Sequence, residues 1–130
     1  NFADLVIPDT TYLERWDTIS MLDRPISEPH AACDAIRQPV IQPDRDVLSW
    51  QQVQLEMGMR LGFPALTNAD GTRKFKDYQD FIINWEREPG IGFLAGWRLD
   101  ENGNEVHLRG KPNPKQWERY VENGAFFEKH

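Results

Sequence analysis

Cysteine is almost absent from this chain: Cys33 stands alone among 130 residues. A single thiol excludes an internal disulfide framework and any zinc site built on paired cysteines. Positive charge is also scarce. Fifteen Lys and Arg face 21 Asp and Glu, a formal net of −6. That balance argues against a general nucleic-acid binder, because affinity for phosphate comes from Lys and Arg. The densest basic group, Arg73, Lys74 and Lys76, sits beside Asp70 and Asp77. No apolar run approaches the roughly 20 residues that span a bilayer, so no membrane insertion is expected of this chain. There is no basic-then-apolar leader and no internal repeat. Gly90-Ile91-Gly92 lacks the following glycine and the preceding strand of a phosphate-cradling loop. Compartment stays undecided between periplasm and cytoplasm, since a periplasmic protein need not contain disulfides.

What is present fits a soluble globular fold: 39% hydrophobic and 28% charged residues. The chain opens on Asn1-Phe2 and enters the stretch ADLVIPDTTYLERWD without a methionine, which reads as a piece of something larger. Asp4 to Ile7 reads as a short strand ended by Pro8, which cannot donate to a ladder. Residues 8 to 35 carry Pro8, Pro25 and Pro29 without a sustained period, and are expected to be loop with one helical turn. Ile36 to Ile41 is expected to be extended, interrupted at Pro39.

The clearest helix runs from Trp50 to Leu61. Ser49 and Gln52 match a capping box, and Gly62 suits the left-handed position after the last turn. Trp50, Val53, Met57 and Leu61 share a face expected to point inward. A second helix is expected over Phe75 to Arg87, with Phe75, Tyr78, Phe81, Ile82 and Trp85 as its stripe and Pro89-Gly90 as its stop. Trp97 to Leu108 reads as a hairpin around Asn102-Gly103. Asn113-Pro114-Lys115-Gln116 opens a third helix, with Trp117, Tyr120 and Val121 inward and Gly124 closing it. The expected class is α+β, mainly helical, with a short hairpin and long loops. Connections of that length are uncommon in a compact free-standing domain.

The densest polar constellation is Asp9-Thr10-Thr11-Tyr12 with Glu14-Arg15-Trp16-Asp17. Past the carboxyl end of a strand, such a loop is where open α/β sheets bind ligands. Thr10 and Thr11 offer hydroxyls, while Glu14 and Arg15 can orient a substrate. The alternative is a capped helical turn in which Thr10 or Thr11 caps and Glu14 offsets the helix dipole. Elsewhere the bland readings dominate. His30, His107 and His130 are dispersed, and His107 with Glu105 makes one same-face pair where a structural metal site needs four ligands. Cys33 among Ala31, Ala32 and Ala35 reads as an incidental thiol. Asp44 with Asp46, or Glu86 with Glu88, offer paired carboxylates for acid-base catalysis, and read rather as groups that cap or solvate helix ends, since nothing suggests the desolvation that raises a pKa. Trp16 and Trp97 are less tied to a stripe than the other tryptophans and are the candidates for an aromatic platform on a sugar or peptide. Acidic patches leave open a docking segment for a partner.

Residues 3 to 15, ADLVIPDTTYLER, resemble the molybdopterin oxidoreductases of the dimethyl sulfoxide reductase superfamily. The run AIRQPVIQP over residues 35 to 43, and the helix from Trp50 to Leu61 with Gly62, are similar to that family too. The branch suggested is polysulfide, thiosulfate and tetrathionate reductase, with sulfite-oxidising relatives. The resemblance implies a fragment of a larger α/β catalytic subunit. Residues 1 to 62 would close a nucleotide-binding α/β region and supply the following helix. Residues 63 to 130 would form a helix-hairpin-helix insertion. It implies molybdenum on a bis(molybdopterin guanine dinucleotide) cofactor in the larger protein and none in the isolated chain, which is expected to be inactive. Thr10, Thr11, Tyr12, Glu14 and Arg15 would lie near the cofactor or the substrate funnel. Metal-ligating and iron–sulfur residues would lie upstream, and Cys33 matches neither motif. Iron–sulfur and membrane-anchor subunits are the implied partners. Where many relatives carry a Gly-rich segment, this chain has Thr18-Ile19-Ser20-Met21-Leu22-Asp23-Arg24-Pro25.

Overall fold

A computed structural model describes residues 2–20, 31–94 and 96–129. In chain order the elements are β1 (Asp17–Ser20), β2 (Ala31–Arg37), α1 (Trp50–Arg60), α2 (Tyr78–Asn84), β3 (Glu86–Glu88), β4 (Ile91–Gly92), β5 (Arg98–Leu99), β6 (Glu105–Val106), α3 (Gln116–Asn123) and β7 (Ala125–Lys129). Among the described residues, three short helices and seven strands overturn the expectation of a mainly helical fold. Two compact units divide the chain: Asn1–Arg15 with Gln38–Lys74, and Trp16–Arg37 with Phe75–His130.

The first unit is built on α1. Ser49 caps it as expected, its hydroxyl accepting from the Gln52 amide at 3.3 Å. The Gln52 side chain reaches forward to Glu56 at 3.1 Å, so it supports the helix surface. At the far end Gly62 (φ +72°) donates to the Met59 carbonyl, and Phe63 donates to that of Gly58. This is the Schellman closure, which needs a residue at ease with positive φ. The helix buries Val53, Leu55, Gly58 and Met59. Of the expected inward stripe, only Val53 is buried; Trp50, Met57 and Leu61 face solvent. The exposed three still share one face, which no described residue covers.

Capping gives a first prediction. Ser49→Ala should cost about 1 kcal/mol, read as faster hydrogen exchange of the first-turn amides of α1, Gln52 above all. Asp9 retains its own bond to the Trp50 amide, so a loss far beyond that figure would refute simple capping.

The expected strand from Asp4 to Ile7 does not form: these residues pair with no strand among the described residues, and Leu5, Val6 and Ile7 are exposed. β structure depends on a partner more than on local preference. The expected loop over residues 8 to 35 is corrected as well, because it contains β1 and most of β2. Residues 21–30, with Pro25 and Pro29, lie outside the described residues. The extended stretch from Ile36 stops at Arg37, ahead of Pro39.

The second unit carries a three-stranded antiparallel sheet of order β1-β2-β7. Thr18 pairs with Ile36, and Asp34 pairs with Phe126. Ile36, Ile82, Leu94, Tyr120 and Phe126 form its core. α2 is shorter than expected at both ends. Asp77 caps it by accepting from the Asp80 amide at 2.9 Å, leaving Phe75 outside. Trp85 turns extended and leads into β3, which pairs with β4 across Pro89-Gly90. The aromatic stripe persists across that change, with Phe81 at 5.2 Å from Phe75 and 5.5 Å from Trp85. The hairpin forms where expected, with Arg98 opposite Val106 and Leu99 opposite Glu105. α3 begins later than expected. Asn113 accepts from the Lys115 amide and donates to the Trp97 carbonyl, bracing the helix start against β5.

Candidate functional site

The polar constellation after Pro8 lies almost wholly in the first unit, through Arg15. Asp9 organises it. One carboxylate oxygen accepts from the Thr10 amide at 2.7 Å and from the Trp50 amide at 2.9 Å, fastening the loop to the first turn of α1. The other accepts from Arg15 at 3.1 Å. Thr10 is buried, and its hydroxyl also donates to Asp9. Glu14 closes a turn: its amide donates to the Thr11 carbonyl, and its carboxylate accepts from the Thr11 amide at 2.7 Å.

The strongest interaction has no local signature in the sequence. Arg45 grips Glu14 with both guanidinium arms, at 2.6 and 2.7 Å. The Glu14 side chain is only 5% exposed. The Arg45 bond first, and the Thr11 amide second, pull the Glu14 carboxyl down to about 2. Arg45 is held above its ordinary value by the same partner. Next to this pair, Val40 and Ile41 donate to the Leu13 carbonyl, closing the loop onto the segment before α1.

Of the five candidate residues, Thr10, Thr11, Glu14 and Arg15 are therefore tied into one hydrogen-bonded turn, and the Tyr12 ring is largely exposed. This donor set does not fit a pterin or phosphate cradle in this arrangement. The Glu14 carboxylate faces the same turn as an anion, and the Arg15 guanidinium is already paired with Asp9. The geometry keeps the turn of the alternative reading and changes its caps: the acceptors are the Asp9 and Glu14 carboxylates, neither threonine hydroxyl caps a helix, and Glu14 is paired with Arg45. Asp9, which the constellation includes without a role of its own, and Arg45, which the sequence does not single out, are the organising residues. Asp9 follows a proline and precedes two threonines, a recognisable turn signal. Arg45 lies 31 residues from Glu14 and gives no local signal.

Other candidates are also absorbed into structure. Trp16 packs edge-on against Trp117 at 4.7 Å, and Trp97 against Tyr120 and Phe126 at 5.3 Å. Both rings are half-buried, so neither forms the open platform of a sugar- or peptide-binding module. His107 lies edge-on to Phe126, while Glu105 pairs with Arg119 at 3.0 Å, so the two do not converge as ligands. Cys33 lies in β2 opposite Phe127. His30 and His130 lie outside the described residues. Asp44 is exposed beside Arg45, Glu86 pairs with Arg98, and Glu88 lies 3.9 Å from Arg109. Among the described residues no three His, Cys, Asp or Glu side chains gather to hold a metal. No described helix is long and apolar enough to cross a membrane.

Each unit also carries an open hollow. The first, about 420 Å³, is lined by Gly62, Pro64, Thr67, Asn68, Ala69 and Lys74. The Lys74 ammonium is taken by the Pro64 carbonyl at 2.6 Å. The second, about 410 Å³, lies between Glu86 and the β5–β6 hairpin. Of its acidic residues, Asp100 accepts from the Asn102 and Asn104 amides, closing the hairpin turn.

Comparison with known proteins places the chain more sharply than its geometry does. Over 128 residues it is 54% identical to a sulfite dehydrogenase subunit of Allochromatium vinosum. The match covers 97% of this chain but only 13% of that protein's length. No family model matches the sequence. No solved structure matches it either. The relative is an oxidoreductase of inorganic sulfur by its name; polysulfide and thiosulfate, the substrates suggested by the resemblance, gain no support from it.

Proposed function

We propose that these residues are a segment of the catalytic subunit of a molybdopterin-type oxidoreductase acting on an inorganic sulfur compound, with sulfite as the substrate. The observation that carries this is the 54% identity, sustained over nearly the whole chain, to a sulfite dehydrogenase component. Oxidation of sulfite to sulfate releases two electrons and takes an oxygen atom from water, so it needs a redox centre and an electron acceptor. The described residues gather no metal-binding cluster. In this reading the redox centre, molybdenum on its pterin guanine dinucleotide, belongs to other parts of the polypeptide. Thr10, Thr11, Glu14 and Arg15 serve as the scaffold of a turn, and Tyr12 stands at its surface. The relative is named as one component of a dehydrogenase, which favours further subunits. Iron–sulfur and membrane-anchor subunits are the proposed route for the electrons.

The test uses the intact polypeptide purified with its partner subunits. Sulfite should drive reduction of an artificial acceptor such as ferricyanide, and elemental analysis should find molybdenum. The 130-residue chain alone should do neither. Sulfite oxidation by the isolated chain would overturn the segment reading; an intact enzyme that is inert with sulfite would overturn the substrate.

A further inference from the structure

We infer that the outward apolar face of α1, with the apolar segments bonded to its N-terminal end, is the surface by which the first unit seats against the rest of its own polypeptide. This rests on the proposal that the chain is a segment of a larger catalytic subunit. Trp50, Met57 and Leu61 are 51%, 48% and 68% exposed. Seven and four residues apart, they form one line along three turns of helix. The opposite side of the same helix is buried on Leu55 and Met59. A helix apolar on both sides belongs inside a larger body.

The pattern continues beyond the helix. Leu5, Val6 and Ile7 are exposed just before Asp9, whose carboxylate holds the first amide of α1. Val40 and Ile41, bonded through their amides to the Leu13 carbonyl, are exposed with Leu13. Every large apolar side chain found exposed among the described residues belongs to this unit, and none to the other. Exposed apolar surface on such a scale marks a site of burial.

The occupant follows from chemistry and length. The exposed line of α1 runs Trp50, Gln54, Met57, Leu61 and carries no charge. An interface with a separable subunit has a polar rim with Arg and Tyr anchors. A helix lying on a lipid surface is flanked by Lys and Arg; here the polar positions are Gln51, Gln52, Gln54 and Glu56, with Arg60 the one basic residue of α1. An uncharged stripe suits a permanent, core-like contact. Supply is ample, because the matched region is 13% of the relative's length.

The experiment uses the intact polypeptide with its partners. A benzophenone side chain is placed at position 50, 57 or 61 in turn, irradiated, and the product mapped by mass spectrometry. Cross-links to peptides of the same polypeptide outside residues 1–130 are expected. Cross-links to a second copy, to another protein of the complex, to lipid, or to residues within 1–130 would overturn the inference, as would no cross-link at any position. A second measurement needs no substitution. In the intact protein Met57 should be oxidised about tenfold more slowly than after denaturation, since susceptibility follows exposure; equal rates would refute cover of this face. Sulfite oxidation measured on the same preparation reports on the functional proposal separately, so a failure of either is recognised by itself.

Discussion

Replacing Arg98 with methionine should destabilise the β5–β6 hairpin and its neighbours by about 3 kcal/mol, the order expected when two buried carbonyls lose their donors. Arg98 is completely buried. Its Nε donates to the Gly110 carbonyl at 3.2 Å, one terminal nitrogen donates to the Ile83 carbonyl at 3.3 Å, and the other to the Glu86 carboxylate at 3.1 Å. One planar group therefore fastens the end of α2, the start of β3 and the segment after β6. Gly92 lies against the guanidinium, and a Cβ there would collide with it. Burial pushes the Arg98 pKa down and Glu86 opposes this, but a guanidinium stays charged at any ordinary pH. Methionine keeps the stem and removes all three donors. Glu86 is 38% exposed and can regain water, which limits the cost; the two carbonyls lose their donors.

The readout is hydrogen exchange at Leu99 and Lys111, whose amides bond each other's carbonyls across the sheet edge. Protection there should fall on the order of 100-fold, since each 1.4 kcal/mol is tenfold. Arg98→Lys should rescue little, because an ammonium lacks the fork that reaches three acceptors. Glu86→Gln keeps an acceptor and should cost much less. A change under threefold in Arg98→Met would show that the three bonds contribute little.

Arg98 also shows what the sequence can and cannot say. Its hairpin is legible because Asn102-Gly103 dictates a tight turn, and Asp100 supplies the acceptors that close it. The burial of Arg98 is not legible, since its partners lie 12 to 15 residues away in elements that meet only on folding. The same distinction runs through the chain. α1 is legible to within one residue, because a serine cap and a glycine stop are local chemistry. β2 is not. AACDAIR shows no clean alternation, and Asp34 is buried in the middle of it. The strand exists through pairing with Ala125–Lys129, about ninety residues on. The mainly helical expectation fails for that reason: helices announce themselves locally, and short strands do not.

The candidate site is legible as a cluster and illegible as a circuit. Asp9, Thr10, Thr11, Glu14 and Arg15 are close in sequence, so their meeting needs no tertiary knowledge. Their role depends on Arg45 and on the Trp50 amide, both contributed from beyond residue 40. These partners turn a set that resembles a ligand cradle into one whose acceptors are filled. The α1 stripe is the converse case. Its spacing is right and its inward direction is overturned, since among the described residues Trp50, Met57 and Leu61 face solvent.

The Glu14 carboxyl should titrate with a midpoint near 2, far below its usual 4.5, when followed by its own side-chain carbon resonance. The cause is ordered. Arg45 contributes most, the Thr11 amide next, and burial acts in the opposite direction. Arg45→Met should therefore return the midpoint most of the way towards 4.5, the Thr11 amide keeping it slightly below. Because the folded value is depressed, the carboxylate binds protons less readily folded than unfolded. Its contribution to stability is fully present above about pH 4.5 and is lost as pH falls through about 2. Neutral Glu14 can no longer hold both guanidinium arms, so the turn at Thr11 and the segment carrying Arg45 should loosen together. Glu14→Gln should reproduce that loosening at about pH 7, with roughly tenfold loss of exchange protection at the Thr11 amide, about what one charge-assisted bond supplies. It should also abolish the acid dependence between those two values. A Glu14 midpoint near 4.5 in the unaltered protein would mean that the Arg45 grip does not persist in solution, and the turn would again be open to ligands.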